Sequence, residues 1–217
     1  MSRFALSGIL VALAGVGWSQ PITSRADLNA ILTASTTDDF EALAPTGGIQ
    51  QFYAPVLSST TVVSGQFNLV HPGATYANDT STFLWMENGH NGLSTRTLGG
   101  FGTVMQATYA TPVHAVGFDV KALTGPGYAA YMNVYRGNTL LAAVNLTVAG
   151  GSSTFVGYHA ALGITRTQVI KGFSDGRTPI IDNHTYGTTN PVPAPATMAL
   201  AGLALAAAAR RKQRLVR

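Results

Sequence analysis

The sequence predicts an all-β fold, a two-sheet β-sandwich of jelly-roll type, and three observations carry that expectation. Apolar residues in the middle of the chain recur at every second position in short runs, the period of half-buried strands. Turn signals separate these runs at short intervals: Glu87-Asn88-Gly89, Gly99-Gly100, Gly125-Pro126-Gly127, Arg136-Gly137-Asn138, Gly150-Gly151 and Asp175-Gly176. No strand–helix alternation supports a parallel sheet. Composition agrees: charged residues make up only 10% of the 217, and glycine contributes 24, against about 25% charged in an average globular chain.

In chain order, Ser24-Arg25-Ala26-Asp27 ahead of Leu28, Ile31 and Leu32 reads as a capped helical turn or two. Strands are then expected over 39–43, 61–70, 83–86, 103–109, 114–120, 129–135, 140–148, 154–158, 165–170 and 180–186. The clearest element is the hairpin that runs Tyr131 to Tyr135, turns at Gly137-Asn138 and returns along Leu140 to Leu146. Val116, Phe118 and Val120 share one face of their strand.

Both ends read as address labels. Arg3 and the apolar run 4–16, followed by Gly17-Trp18-Ser19, form a Sec-type signal peptide with cleavage expected between Ser19 and Gln20. The run falls short of the roughly 20 apolar residues that a span needs; an uncleaved anchor is the alternative. At the other end Val192-Pro193-Ala194-Pro195-Ala196-Thr197 leads into an alanine-rich run and then Arg210-Arg211-Lys212. The prolines form a stiff linker, and a short helix is expected over 196–209. Its apolar part reaches only about 18 Å into a hydrocarbon core of about 30 Å, with the basic residues kept cytoplasmic. The organisation expected is a signal peptide at 1–19, a short helical lead-in at 20–37, a β-sandwich at 38–187, and a linker and tail at 188–217 with its basic end at 210–217.

This tail resembles the PEP-CTERM sorting signal: a Val-Pro-x-Pro-Ala-Thr segment, an apolar helix rich in Leu, Gly and Ala, and a terminal Arg-Arg-Lys. The resemblance implies export through the Sec translocon, transient residence in the inner membrane, and recognition and removal of the tail by exosortase at the surface of a Gram-negative bacterium. Ala194 stands where that family usually has Glu, so slow processing is expected; a plain C-terminal anchor is the alternative. The blocks Phe40-Glu41-Ala42-Leu43, Val113 to Asp119, Val134 to Leu140, Phe155 to Tyr158, Gly163 to Arg166 and Ile181-Asp182-Asn183 resemble PEP-CTERM cargo domains, which are similar to galactose-binding-like and carbohydrate-binding-module sandwiches. In sandwiches of that type the first and last strands often share a structural calcium. Asp39, Glu41 and Asp182, with Asp38 beside them, are the oxygen donors that resemblance singles out.

Charge and motifs narrow the function. Six of the 13 basic residues lie in the leader or the last eight positions, so the middle carries seven against nine acids, about −2. No basic stripe remains to track a phosphate backbone, and nucleic acid is not an expected partner. Without cysteine, thiolate nucleophiles, disulfides and cysteine-bound metals are excluded. There is no Gly-x-Ser-x-Gly elbow, His-Glu-x-x-His or P-loop, and the five histidines read as surface or strand-end residues. Glu87, Asp119, Asp175 and Asp182 are the carboxylates from which a hydrolase pair would come. For sugar binding, Tyr128, Tyr131, Tyr135, Tyr158 and Trp85 are the stacking candidates by type. The expected role is a non-enzymatic envelope or matrix protein associated with exopolysaccharide. A carbohydrate-binding module with a specific pocket is the second reading, and an envelope-attached glycoside hydrolase the third.

Overall fold

A computed structural model describes residues 19–42, 48–86, 95–172 and 179–189. The expected signal-peptide helix, the tail with its helix at 196–209, and Glu87 and Asp175 lie outside them. Residues 19–190 form one compact unit. Among the described residues no helix is long and apolar enough to cross a membrane.

Two long strands organise the fold. β7 (Val104–Lys121) and β10 (Ser153–Lys171) run antiparallel over their whole lengths, from Ser153 opposite Lys121 to Ile170 opposite Val104. The register breaks midway, between His159 and Arg166. Pro112 cannot donate to the ladder there, and Gly163 sits at φ +86, a conformation open to glycine at little cost. Such bulges bend strands, and here the bend hands one ribbon to two sheets.

One half of the ribbon, 115–121 with 153–159, is flanked by β1 (Ser19–Ile22) on β10 and by β11 (Ile180–Thr189) on β7. β11 pairs in turn with β6 (Thr97–Gly100) and with β2 (Leu32–Asp38); β5 (Thr82–Met86) and the edge strand β3 (Ile49–Tyr53) extend the sheet beyond β6. The other half, 104–109 with 166–171, lies between β4 (Ala74–Asn78) on β7 and the hairpin β8 (Tyr128–Arg136) and β9 (Thr139–Val148) on β10. Val116, Phe118 and Val120 from the first half enter one apolar cluster with Met105, Tyr109, Met132, Val134 and Val169 from the second. The sandwich core therefore lies between two sheets that share a ribbon.

The hairpin β8–β9 and strands β5 and β11 stand where the sequence expects them. Four expected strands are two, because the alternation at 103–109 and 114–120, and at 154–158 and 165–170, continues through the bulge. No strand occupies 61–70, where Ser64, Gly65 and Asn68 all take positive φ and make turns. The strand expected from 39 does not form: β2 ends at Asp38, and Phe40 turns at φ 56 to bury its ring against Tyr76 and Trp85.

The lead-in at 20–37 is helical only in α1 (Arg25–Ile31), and its flanks β1 and β2 belong to the sandwich. β2 reads Leu-Thr-Ala-Ser-Thr-Thr-Asp; it is too polar to announce itself and exists by pairing with β11. At α1, Ser24 accepts from the Asp27 amide at 3.1 Å and donates to the Asp27 carboxylate at 2.6 Å, the expected cap. The helix buries Leu28 with Ile22 and Ala115. It lies over β7 at Gly117, where an added Cβ would come within 2.7 Å of both Leu28 and Phe155. Gly117→Val should therefore cost about 1–3 kcal/mol through overpacking, read as a lower urea midpoint with an unchanged slope.

Candidate functional site

Alternation along four strands of the second sheet turns a polar set outward. Tyr131, Asn133 and Tyr135 alternate with buried Met132 and Val134 on β8. Arg166 and Gln168 flank buried Thr167 on β10, Gln106 and Thr108 flank buried Ala107 on β7, and Asn145 is exposed on β9. Register lines these residues up across the strands. Thr108, Arg166 and Tyr135 form one row; Gln106, Gln168 and Asn133 form the next, closed by the small side chains of Ala77 and Ala143; Tyr131 pairs with Asn145 in the third.

The groups on this face hold one another in place. Gln168 donates to the Gln106 side-chain oxygen at 2.9 Å, Asn133 donates to the Tyr135 hydroxyl at 3.2 Å, and the Arg166 guanidinium lies 4.2 Å from the centre of the Tyr135 ring. Tyr131 and Asn145 border a shallow depression of about 350 Å³. Four residues of strand separate Tyr131 from Tyr135, roughly 13 Å, and five strands span roughly 19 Å. The arrangement offers ring faces for stacking and amides for reading hydroxyls.

Of the five aromatic candidates, Tyr131 and Tyr135 are on this face, whereas Tyr128, Tyr158 and Trp85 are buried. Trp85 donates to the Phe40 carbonyl at 2.9 Å, and Tyr128 to that of Lys121 at 2.7 Å. The amides and Arg166 escaped the sequence reading, although each occupies the outward phase of an alternating run.

A second polar cluster runs from the surface at His71 into the interior of the sandwich. The buried Asp38 carboxylate accepts from the His71 amide at 2.6 Å, from His71 Nδ1 at 2.9 Å and from the Tyr76 hydroxyl at 2.5 Å. A carboxylate only accepts, so Tyr76 spends its proton there, and His184 Nδ1, 2.6 Å away, must donate to the Tyr76 oxygen. That leaves His184 Nε2 to accept from the Tyr109 hydroxyl at 3.0 Å, with Thr167 donating to Tyr109 at 3.0 Å. One carboxylate thus fixes the direction of every proton along the chain. His184 stacks on Phe118 with centroids 4.1 Å apart. Burial, then the positive charge of Arg25, lowers its imidazole to about 3. Burial, then Asp38, raises the Tyr76 hydroxyl well above its usual range. Such groups neither lose nor gain protons near neutrality, and the cluster joins strands of the two sheets. His184 is fully buried, contrary to the surface expectation, and His159 is buried as well.

The carboxylates singled out for calcium are not brought together. Asp182 is buried against Lys121 Nζ at 2.8 Å and accepts from Thr95 at 2.5 Å. Glu41 accepts from the Arg96 amide at 2.8 Å, and Asp39 only receives the Glu41 amide at 3.1 Å. The ammonium of Lys121 already neutralises Asp182, and among the described residues no three His, Asp or Glu side chains gather to hold a metal. Asp119, opposite Asp182 in register, is paired with Arg25 at 2.9 Å and accepts from Asn183 at 2.9 Å. Each of these two carboxylates has its own cation.

The protein is an all-β sandwich, and its C-terminus is a sorting tail: residues 191–214 match the PEP-CTERM protein-sorting motif. That match takes in every residue singled out in the tail from Val192 to Lys212, marks the chain for export and surface sorting in bacteria, and implies processing by exosortase. Ser19 and Gln20, the expected cleavage pair, lie in β1 opposite Ala160 and His159. No curated protein sequence matches the chain. Solved structures similar to it include a variant of a family 29 carbohydrate-binding module in complex with mannohexaose, at 10% identity and a TM-score of 0.33 over 71% of this chain and 93% of that one. A family 29 module from Piromyces equi has 11% identity and a TM-score of 0.32 over 71% and 91%. A family 11 module from Clostridium thermocellum in complex with a mixed-linked tetrasaccharide has 12% and 0.30 over 71% and 96%. The architecture described above rests on the strand pairing itself.

Two outcomes are expected. The unfolded chain takes up a proton at His184 near the ordinary value of 6.5, which the folded chain refuses until about 3. This residue therefore withdraws stability as pH falls through that window; urea unfolding should show the loss, and His184→Gln should flatten the slope. Millimolar calcium should leave the thermal midpoint where a chelator leaves it, since only a ligand that favours the native state raises it.

Proposed function

We propose that the protein is an exported, surface-sorted component of the envelope or extracellular matrix of a Gram-negative bacterium. It works by binding polysaccharide, not by catalysis, through the outer face of the second sheet. The observation that carries this reading is the row pattern on that face: Tyr131 and Tyr135 are half-buried on the outward phase, with Arg166 over one face of the Tyr135 ring and Gln106, Gln168, Asn133 and Asn145 beside them. Stacked rings and convergent amides recognise a pyranose chain without chemical attack. None of the outward residues in those rows is a carboxylate, so the face has no pair for general acid and base. The sorting motif supports delivery to the surface, where exopolysaccharide is the polymer within reach. Removal of the tail by exosortase would release the sandwich from the membrane.

The test is a glycan array followed by affinity electrophoresis on the full chain purified in detergent. Binding to at least one glycan class is expected, at about millimolar affinity or tighter. Tyr131→Ala and Tyr135→Ala should each weaken it by roughly tenfold, while Tyr53→Ala, on the first sheet, should not. Failure to bind any class, or equal loss in all three variants, would overturn the reading.

A further inference from the structure

We infer that the glycan bound at this face is acidic, with a uronate carboxylate held by the guanidinium of Arg166. The inference rests on the polysaccharide-binding reading and specifies its substrate class.

Arg166 sits in the middle of the face, between Thr108 on one side and Tyr135 on the other. Its guanidinium carbon lies over the Tyr135 ring, 4.2 Å from the centroid, and its Nε is shut away from water with no hydrogen-bond partner. Among the described residues no carboxylate pairs with it. The acids among the described residues are engaged elsewhere: Asp27 with Ser24, Asp38 with His71 and Tyr76, Asp39 with the Glu41 amide, Glu41 with Arg96, Asp79 with Thr103, Asp119 with Arg25 and Asp182 with Lys121. Arg25, Arg96 and Lys121 each have an acidic partner; Arg166, stacked at the centre of an otherwise uncharged face, has none.

A partly desolvated guanidinium without a counter-ion is costly to hold, and an anion meeting its terminal amino groups offsets that cost. Its planar donor fork matches a carboxylate, which accepts two parallel bonds. Its contact with the Tyr135 ring holds the guanidinium in place beforehand, so little side-chain freedom is lost on binding. The neighbouring amides Gln168 and Gln106, held by their mutual bond, are placed to meet the hydroxyls of the same sugar or the next. A neutral glycan would leave the cation unpaired beneath it, and the site would be selective for that reason.

The full chain should be titrated with polygalacturonate, with the same polymer methyl-esterified, with a neutral β-glucan and with dextran sulfate. The expected result is binding to polygalacturonate that weakens about tenfold or more on esterification and in Arg166→Gln. Arg166→Lys, which keeps the charge and loses the fork, should fall between. Equal binding of the free and esterified polymers would overturn the inference and leave the polysaccharide reading standing. Binding to dextran sulfate but not to polygalacturonate would overturn the choice of carboxylate, and binding to none of the four would overturn the inference and leave the glycan array to decide the polysaccharide reading. Should Arg166→Gln fail to fold, the esterification comparison on the unaltered protein still decides.

Discussion

A single antiparallel ribbon belongs to both sheets, and most of the molecule depends on its bend. Because β7 and β10 stay paired on both sides of the bulge near Pro112 and Gly163, no loop has to carry the chain from one layer to the other. The inner residues of the two halves, Val116 and Phe118 on one side and Met105 and Val169 on the other, face a common interior. The outer residues of the second half, Gln106, Arg166 and Gln168, face away together. Core and candidate face are thus two sides of one decision about register, and a slip of one residue would exchange them.

The interior is not purely apolar, and its polar content has a definite job. Asp38 at the end of β2, Tyr76 on β4, Tyr109 on β7 and His184 on β11 come from both sheets and are joined by hydrogen bonds whose direction one carboxylate sets. A buried network of this kind is favourable only when every member is satisfied, so it selects one relative placement of the sheets over its near alternatives. In a chain without cysteine it serves the specifying role that a cross-link could otherwise play. The ion pair of Lys121 with Asp182 and the grip of Arg25 on Asp119 tie β7 to β11 and α1 to β7 in the same spirit. Each of these carboxylates is thereby held by its own cation.

The face and the tail describe one mode of action. The tail is an address, read by the export and sorting apparatus. The face is a rigid platform built on strands, whose side chains are held by neighbours before any ligand arrives, through the Gln168–Gln106 bond and the Arg166–Tyr135 stack. Preorganisation of this sort lowers the entropic cost of binding a flexible polymer.

The all-β class, the β8–β9 hairpin, the cap of α1 and the identity of the tail were legible in the sequence, because each depends on local chemistry: alternation, a turn dipeptide, a Ser–Asp cap, an ordered string of prolines, alanines and arginines. β2 and β4 were not legible, since their short polar runs are stabilised by partners distant along the chain. The sequence showed that Tyr131 and Tyr135 share a phase, but not that this phase faces outward while Tyr128 is turned in at the strand's end. Nor could it show that Arg166 would lie on Tyr135, that His184 would sit at the centre of the core, or that Asp182 would meet Lys121 before it could meet Asp39. Those outcomes depend on the register of strands far apart in the chain, as Leu32 is from Thr189, which only tertiary pairing decides. Sequence by itself determined the class of fold and the sorting signal of the tail; the tertiary structure decided which polar groups are spent holding the sheets together and which are left facing solvent.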